Sequence, residues 1–172
     1  MLLQWRTGAP DMRVTIRPAD ASEAFLLTAL AQAGKRHWGY PDEWFDVWRD
    51  QLTITPAYIT DNLVRCGYTD DDRVVGFYAL EAEDIAFRLA HLWLTSLIIG
   101  RGVGRRLFDH AAQTASDLGA HELRIDADPN AEGFYLHLGA ERVGESVSLL
   151  TGTKRVIPNL RYRLKLVQAE AD

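Results

Sequence analysis

Apolar and polar residues change period several times along the chain, and each change marks the border of an element. Arg13-Val-Thr-Ile-Arg17 alternates as a half-buried strand does, and Pro18 stops it. From Asp20 to Ala33 the spacing turns helical, with Phe25, Leu26, Ala29, Leu30 and Ala33 on one face and Gly34 at the end. A second helix is expected from Asp42 to Leu52 behind Pro41, and Thr55 to Ile59 begins a further short helical piece. Leu63 to Thr69 and Arg73 to Glu81 are hydrophobic segments joined by Asp70-Asp71-Asp72, which predicts a hairpin. Ala86 to Ile98 is expected to be the longest strand.

A glycine turn, Gly100-Arg-Gly-Val-Gly104, follows. Val103, Leu107, Phe108, Ala111, Ala115 and Leu118 then keep helical spacing up to Gly119. His121 to Asp126 reads as a strand. Asp128 is a good N-cap, Pro129 a good first helical residue and Gly139 a good stop, so a helix of about ten residues is expected between them. Its face at i, i+3, i+4 and i+7 is Ala131, Phe134, Tyr135 and Leu138. Tyr135 therefore points inward, where a buried phenol needs a partner. Arg142 to Leu149 and Leu160 to Leu166 close the chain as an antiparallel pair, leaving Thr151 to Asn159 as a long loop suited to border a pocket.

Composition narrows the picture. A chain of 172 residues with 47% hydrophobic and 25% charged residues is that of one soluble globular domain, expected to span residues 12–168 with a tail at 169–172. Residues 1–11 lack both a basic start and a long apolar centre, so they read as a loose leader and not a secretory signal, and Met12 offers a second start. The longest apolar run, Leu89 to Ile99, contains His91, Thr95 and Ser96 and is about half of what spans a bilayer, so no membrane partner is expected. The single cysteine, Cys66, excludes an internal disulfide framework, suits a reducing cytoplasm, and reads as an ordinary half-buried thiol. A net charge of −5 argues against nucleic acid as a partner and is compatible with a cationic amine.

The most informative stretch is the junction at Gly100 to Arg106. The first amides of a helix have no internal partner and carry partial positive charge, so they accept an anion. Gly100, Gly102 and Gly104 let the backbone approach a ligand closely. Arg101, Arg105 and Arg106 would each oppose the helix dipole by about 0.3–1 kcal/mol, a cost an intervening anion removes. The plain alternative is a glycine turn with solvated arginines. The spacing lacks the Lys-Ser/Thr pair of a triphosphate loop and the third glycine of a dinucleotide fingerprint. Neither H-E-x-x-H, C-x-x-C nor G-x-S-x-G occurs, so no metal or serine-hydrolase chemistry is indicated.

Gly102-Val103-Gly104, followed by Arg105-Arg106-Leu107, resembles the [Q/R]-x-x-G-x-[G/A] motif of the GNAT superfamily of acetyl-CoA-dependent N-acetyltransferases, with Ile99 where Gln or Arg is usual. The segment Asp128-Pro-Asn-Ala-Glu-Gly-Phe-Tyr-Leu-His-Leu-Gly-Ala140 resembles that family's second signature, and the order of elements from Met12 onward is similar as well. The resemblance implies an α/β fold with a twisted, mixed, mostly antiparallel sheet of about six to seven strands and about four helices. It implies acetyl-CoA held by Trp93, Leu94, Ile99, Gly100, Arg101, Gly102, Val103, Gly104, Arg105, Asn130 and Tyr135, between strands splayed near Ile98 and Asp126. It implies Tyr135 as the acid for the leaving thiolate and a backbone N–H at Leu94 or its neighbour as the oxyanion donor. His91 is the first candidate for the base that takes the amine proton, with Glu81 and Glu83 next. Trp38 and Tyr40, in the aromatic segment His37-Trp-Gly-Tyr40, are candidate acceptor contacts. The acceptor is then a small-molecule or peptide amine, and many members are homodimers. The rival expectation is a GNAT-like module that binds acyl-CoA without turnover.

Overall fold

The computed structural model describes residues 12–165. Seven strands form one sheet in the order β1-β2-β3-β4-β5-β7-β6: β1 Thr15–Pro18, β2 Leu63–Tyr68, β3 Val74–Glu83, β4 Ala86–Leu94, β5 Glu122–Asp126, β6 Glu141–Leu150 and β7 Thr153–Arg163. Only the β4–β5 pair is parallel. Five helices accompany it: α1 Ala24–Arg36, α2 Asp42–Val47, α3 Pro56–Asp61, α4 Val103–Asp117 and α5 Glu132–His137.

Strand side chains alternate between faces, so β3 feeds two cores. Tyr78 and Leu80 pack beneath α4 with Leu107, Phe108 and Ala111, while Phe77 and Ala79 pack with Leu27, Leu30, Trp48 and Cys66 under α1 and α2. Cys66 is fully buried, not half-buried, and its thiol is pushed up to about 12 by burial and by the charge of Glu23.

Several expectations are corrected. The first helix runs on to Arg36, and Gly34 lies inside it because a Cβ there would come within 2.6 Å of the Trp93 ring. Its buried face is Ala24, Leu27, Leu30, Ala31 and Lys35, leaving Phe25 87% exposed; Asp20 and Glu23 form the capping box of a separate 3-10 turn, Ala21–Glu23, ahead of it. The second helix stops at Val47 and continues as turns. β4 ends at Leu94, followed by a 3-10 turn over Ser96–Ile98, and the longest strand is β7. The expected loop from Thr151 to Asn159 is only a turn at Thr151 and Gly152, because residues 153–159 already pair with β6. α5 begins at Glu132, and Asp128 does not cap it. The proposed leader and tail lie outside the described residues. Among those residues no helix is long and apolar enough to cross a membrane.

Candidate active site

The sheet opens into a fork between β4 and β5. They pair only over Ala86–Arg88 and Glu122–Arg124, although β4 continues to Leu94 and β5 to Asp126. A bulge explains the opening. Ala79 of β3 faces His91 and Leu80 faces Leu89, so Ala90 is an extra residue on β4 just past the last β4–β5 pair. A bulge bends its strand and increases the local twist, which carries β4 away from β5. Beyond Arg88, alternate backbone groups of β4 therefore face open space instead of a neighbouring strand.

That space is part of a cavity of about 810 Å³, within the range of small-molecule sites. Of the residues expected to hold the cofactor, Trp93, Leu94, Ile99, Gly104, Asn130 and Tyr135 line it. Gly100, Arg101, Gly102, Val103 and Arg105 do not, but they form the turn that Ile99 and Gly104 bracket. Gly102 takes φ +75 as N-cap of α4 and offers no side chain to its amides, so those N–H groups remain free for an anion. Arg101 and Arg105 are exposed beside them, whereas Arg106 donates to the Met12 carbonyl at 2.9 Å. Val103 is buried in the core.

Tyr135 is 7% exposed, against Phe108 and Phe134, and its hydroxyl makes no hydrogen bond among the described residues. Burial, reinforced by the charge of Asp128, raises its phenol well above the usual range. The phenol therefore carries its proton at neutral pH.

His91 also lines the cavity, but its geometry argues against a base. The Trp93 indole N–H donates to His91 Nδ1 at 3.1 Å; an indole only donates, so the neutral imidazole carries its proton on Nε2 and has no free lone pair. Burial pushes its pKa down to about 4, against a smaller opposing pull from Glu81. Glu81 lies in the same wall, where it accepts Tyr58 O–H at 2.8 Å and an N–H of Arg88, and Tyr58 stands edge-on to His91. Glu83 is tied instead to Arg88 and Arg124 and does not line the cavity.

Trp38 lines the cavity; Tyr40 does not. Its ring packs on Trp44 and Trp48, and its hydroxyl donates to Asp128 Oδ1 at 2.8 Å. Asp128 is the hub of a group that sequence reasoning missed: Lys35 and Arg155 both bond its Oδ2, at 2.6 and 2.8 Å. Lys35 lies on α1 and Arg155 on β7, more than a hundred residues apart, so no local spacing announces them.

Residues 51–149 match the family model described as an acetyltransferase (GNAT) domain, more than half of the chain. The chain belongs to the GNAT acetyltransferase family. The seven-stranded sheet with five helices is the GNAT fold, and solved structures agree. A GCN5-related N-acetyltransferase from Rhodopseudomonas palustris is 22% identical at a TM-score of 0.72, covering 91% of this chain and all of its own. PaiA N-acetyltransferase from Thermoplasma acidophilum, in complex with coenzyme A, is 19% identical at 0.68, over 88% of this chain and 99% of that one. YncA from Salmonella typhimurium, with its cofactor acetyl-CoA, is 18% identical at 0.67, over 92% and 98%. No protein of curated function matches the chain.

Proposed function

We propose that the protein is an N-acetyltransferase that moves the acetyl group of acetyl-CoA directly to an amine held in the same cavity. The observation that carries this reading is the β4–β5 fork, which opens backbone groups of β4 onto a cavity lined also by Tyr135, whose hydroxyl has no hydrogen-bond partner among the described residues. The bound coenzymes in the PaiA and YncA structures support it.

The site suits the coenzyme. The uncapped amides of α4, with Arg101 and Arg105 beside them, would hold its pyrophosphate, and Ile99 would take part through its backbone. The main chain of Trp93 and Leu94 with Asn130 would hold the pantetheine arm. When bound, the coenzyme supplies an activated acetyl group as a thioester.

Direct transfer then asks three things of the protein. A β4 backbone N–H at Leu94 or its neighbour donates to the carbonyl oxygen as the amine nitrogen attacks and that oxygen gains charge. Glu81, in the cavity wall, takes the amine proton through water, because His91 has no lone pair to offer. As the new C–N bond forms and the C–S bond breaks, Tyr135 gives its proton to the departing thiolate and regains one from solvent.

Calorimetry with acetyl-CoA and a thiol-release assay over an amine panel test the reading. Binding, with turnover that falls about tenfold or more in Tyr135→Phe, is expected. Binding without turnover on any amine, unchanged by Tyr135→Phe, would make the protein an acyl-CoA-binding module. Failure to bind the coenzyme overturns both.

A further inference from the structure

The cavity has a second polar wall that acetyl transfer leaves unused. Lys35, Asp128 and Arg155 meet there with about a tenth of each side chain exposed. Both cations share Asp128 Oδ2, while Oδ1 accepts from the Tyr40 hydroxyl and the Asn130 side chain. The carboxylate is fully used. Arg155 Nε is nevertheless buried without a hydrogen-bond partner among the described residues. Two cations thus face one anion in a place where an unbalanced charge is costly. Aromatic faces ease the imbalance: the Lys35 ammonium lies 4.3 Å from the Trp48 ring centre, and Arg155 lies 5.2 Å from that of Tyr40. They do not remove it. Burial and the nearby Arg155 lower the Lys35 ammonium by more than Asp128 raises it. Lys35, Arg155, Ser146 and Ser148 all line the cavity, so an anion there would meet both cations and two hydroxyl donors.

We propose that this wall is an anion subsite that takes a carboxylate on the acceptor, so that the amine acetylated at the fork belongs to a compound of the amino-acid type. The amine half of this statement rests on the acetyltransferase reading; the carboxylate half rests on the cluster alone. Arg155 is the anchor, since it is a permanent cation that lines the cavity and its Nε has no partner among the described residues. Lys35 adds a second, point-like charge.

The test compares common free amino acids with their carboxamides, which keep the amine and the shape but lose the charge, and includes short glycyl peptides as a second carboxylate source. Thermal-shift titration and calorimetry on coenzyme A-saturated protein read binding, and thiol release from acetyl-CoA reads turnover. At least one amino acid or peptide is expected to bind tenfold or more tightly than its carboxamide. Arg155→Gln should abolish that preference, Arg155→Lys should restore part of it, and Lys35→Met should reduce it, all with coenzyme A affinity within about twofold of the parent. Which source is preferred, free amino acid or peptide, identifies the compound and supports the subsite in either case. Equal affinity for acids and carboxamides, or binding of neither, overturns it. So does an Arg155→Gln variant that loses coenzyme A and not the carboxylate, because the cluster would then hold the coenzyme's own anion. A carboxylate preference without thiol release would leave the subsite standing and remove only the acetyl-transfer reading.

Discussion

The two polar walls of the cavity are built from the same parts and balanced differently. On the β3–β4 side a tyrosine and an arginine serve a carboxylate: Tyr58, Arg88 and Glu81, with Glu83 and Glu122 sharing Arg124 behind them. On the α1–β7 side a tyrosine, a lysine and an arginine serve Asp128. The first group carries no excess of cations and is looser, with Glu81 25% exposed; the second is positive and 10% exposed at Asp128. A partly hydrated carboxylate can meet water directly. A sealed carboxylate outnumbered by cations cannot: burial would raise Asp128, but Lys35, Asn130 and Tyr40 together hold it below the usual carboxylate range. The first wall thus suits the proton transfer proposed for it, and the second the anion subsite proposed for it.

The largest expected effect lies in the sealed wall. Asp128→Ala strands Lys35 and Arg155 as buried cations and should cost about 3–5 kcal/mol in urea unfolding. A loss below about 1 kcal/mol would mean that water reaches the cluster freely and that the contrast between the walls is false.

His91 sharpens the contrast on the other side. Its folded pKa of about 4 lies below the ordinary 6.5, so the unfolded chain binds the proton first as pH falls. Its burial therefore costs stability progressively from about pH 6.5 down to about pH 4 and nothing above that window, at most about 3 kcal/mol in all. His91→Gln should flatten the unfolding midpoint against pH in that range relative to the parent protein. An unchanged slope would show that His91 titrates normally and restore it as a base.

Glu81→Gln should lower kcat about a hundredfold at neutral pH, with coenzyme affinity retained. Loss through KM alone would make Glu81 a binding group. A smaller effect joins the walls. Gly34→Ala would press on the Trp93 ring, whose indole fixes the His91 tautomer, and should cost about 1–3 kcal/mol; a neutral result would mean that the ring has room to move.

Much of the frame was legible in the chain, because local periods and turn residues announce local structure. The glycine turn that leads into helical spacing from Val103, the Asp70 to Asp72 hairpin and the inward Tyr135 all follow from spacing within a few residues. The errors arose where tertiary packing overrode a local sign. Gly34 looks like a helix stop but is a contact with Trp93; Asp128 looks like a helix cap but is drawn into an ion cluster; Phe25 looks like core and is exposed. The bulge at Ala90 has neither glycine nor proline to mark it, and Lys35 with Arg155 is a meeting of distant segments. Cavity and electrostatics are long-range properties, and a single sequence carries them only implicitly.

The most direct test of the central claim is a crystal structure of the protein with coenzyme A. The account predicts the pyrophosphate at the start of α4 and the thiol in the β4–β5 fork, within about 3.2 Å of the Tyr135 hydroxyl or one water away. A coenzyme whose thiol lies outside the fork, or a fork closed by pairing of β4 with β5 beyond Arg88, would contradict it.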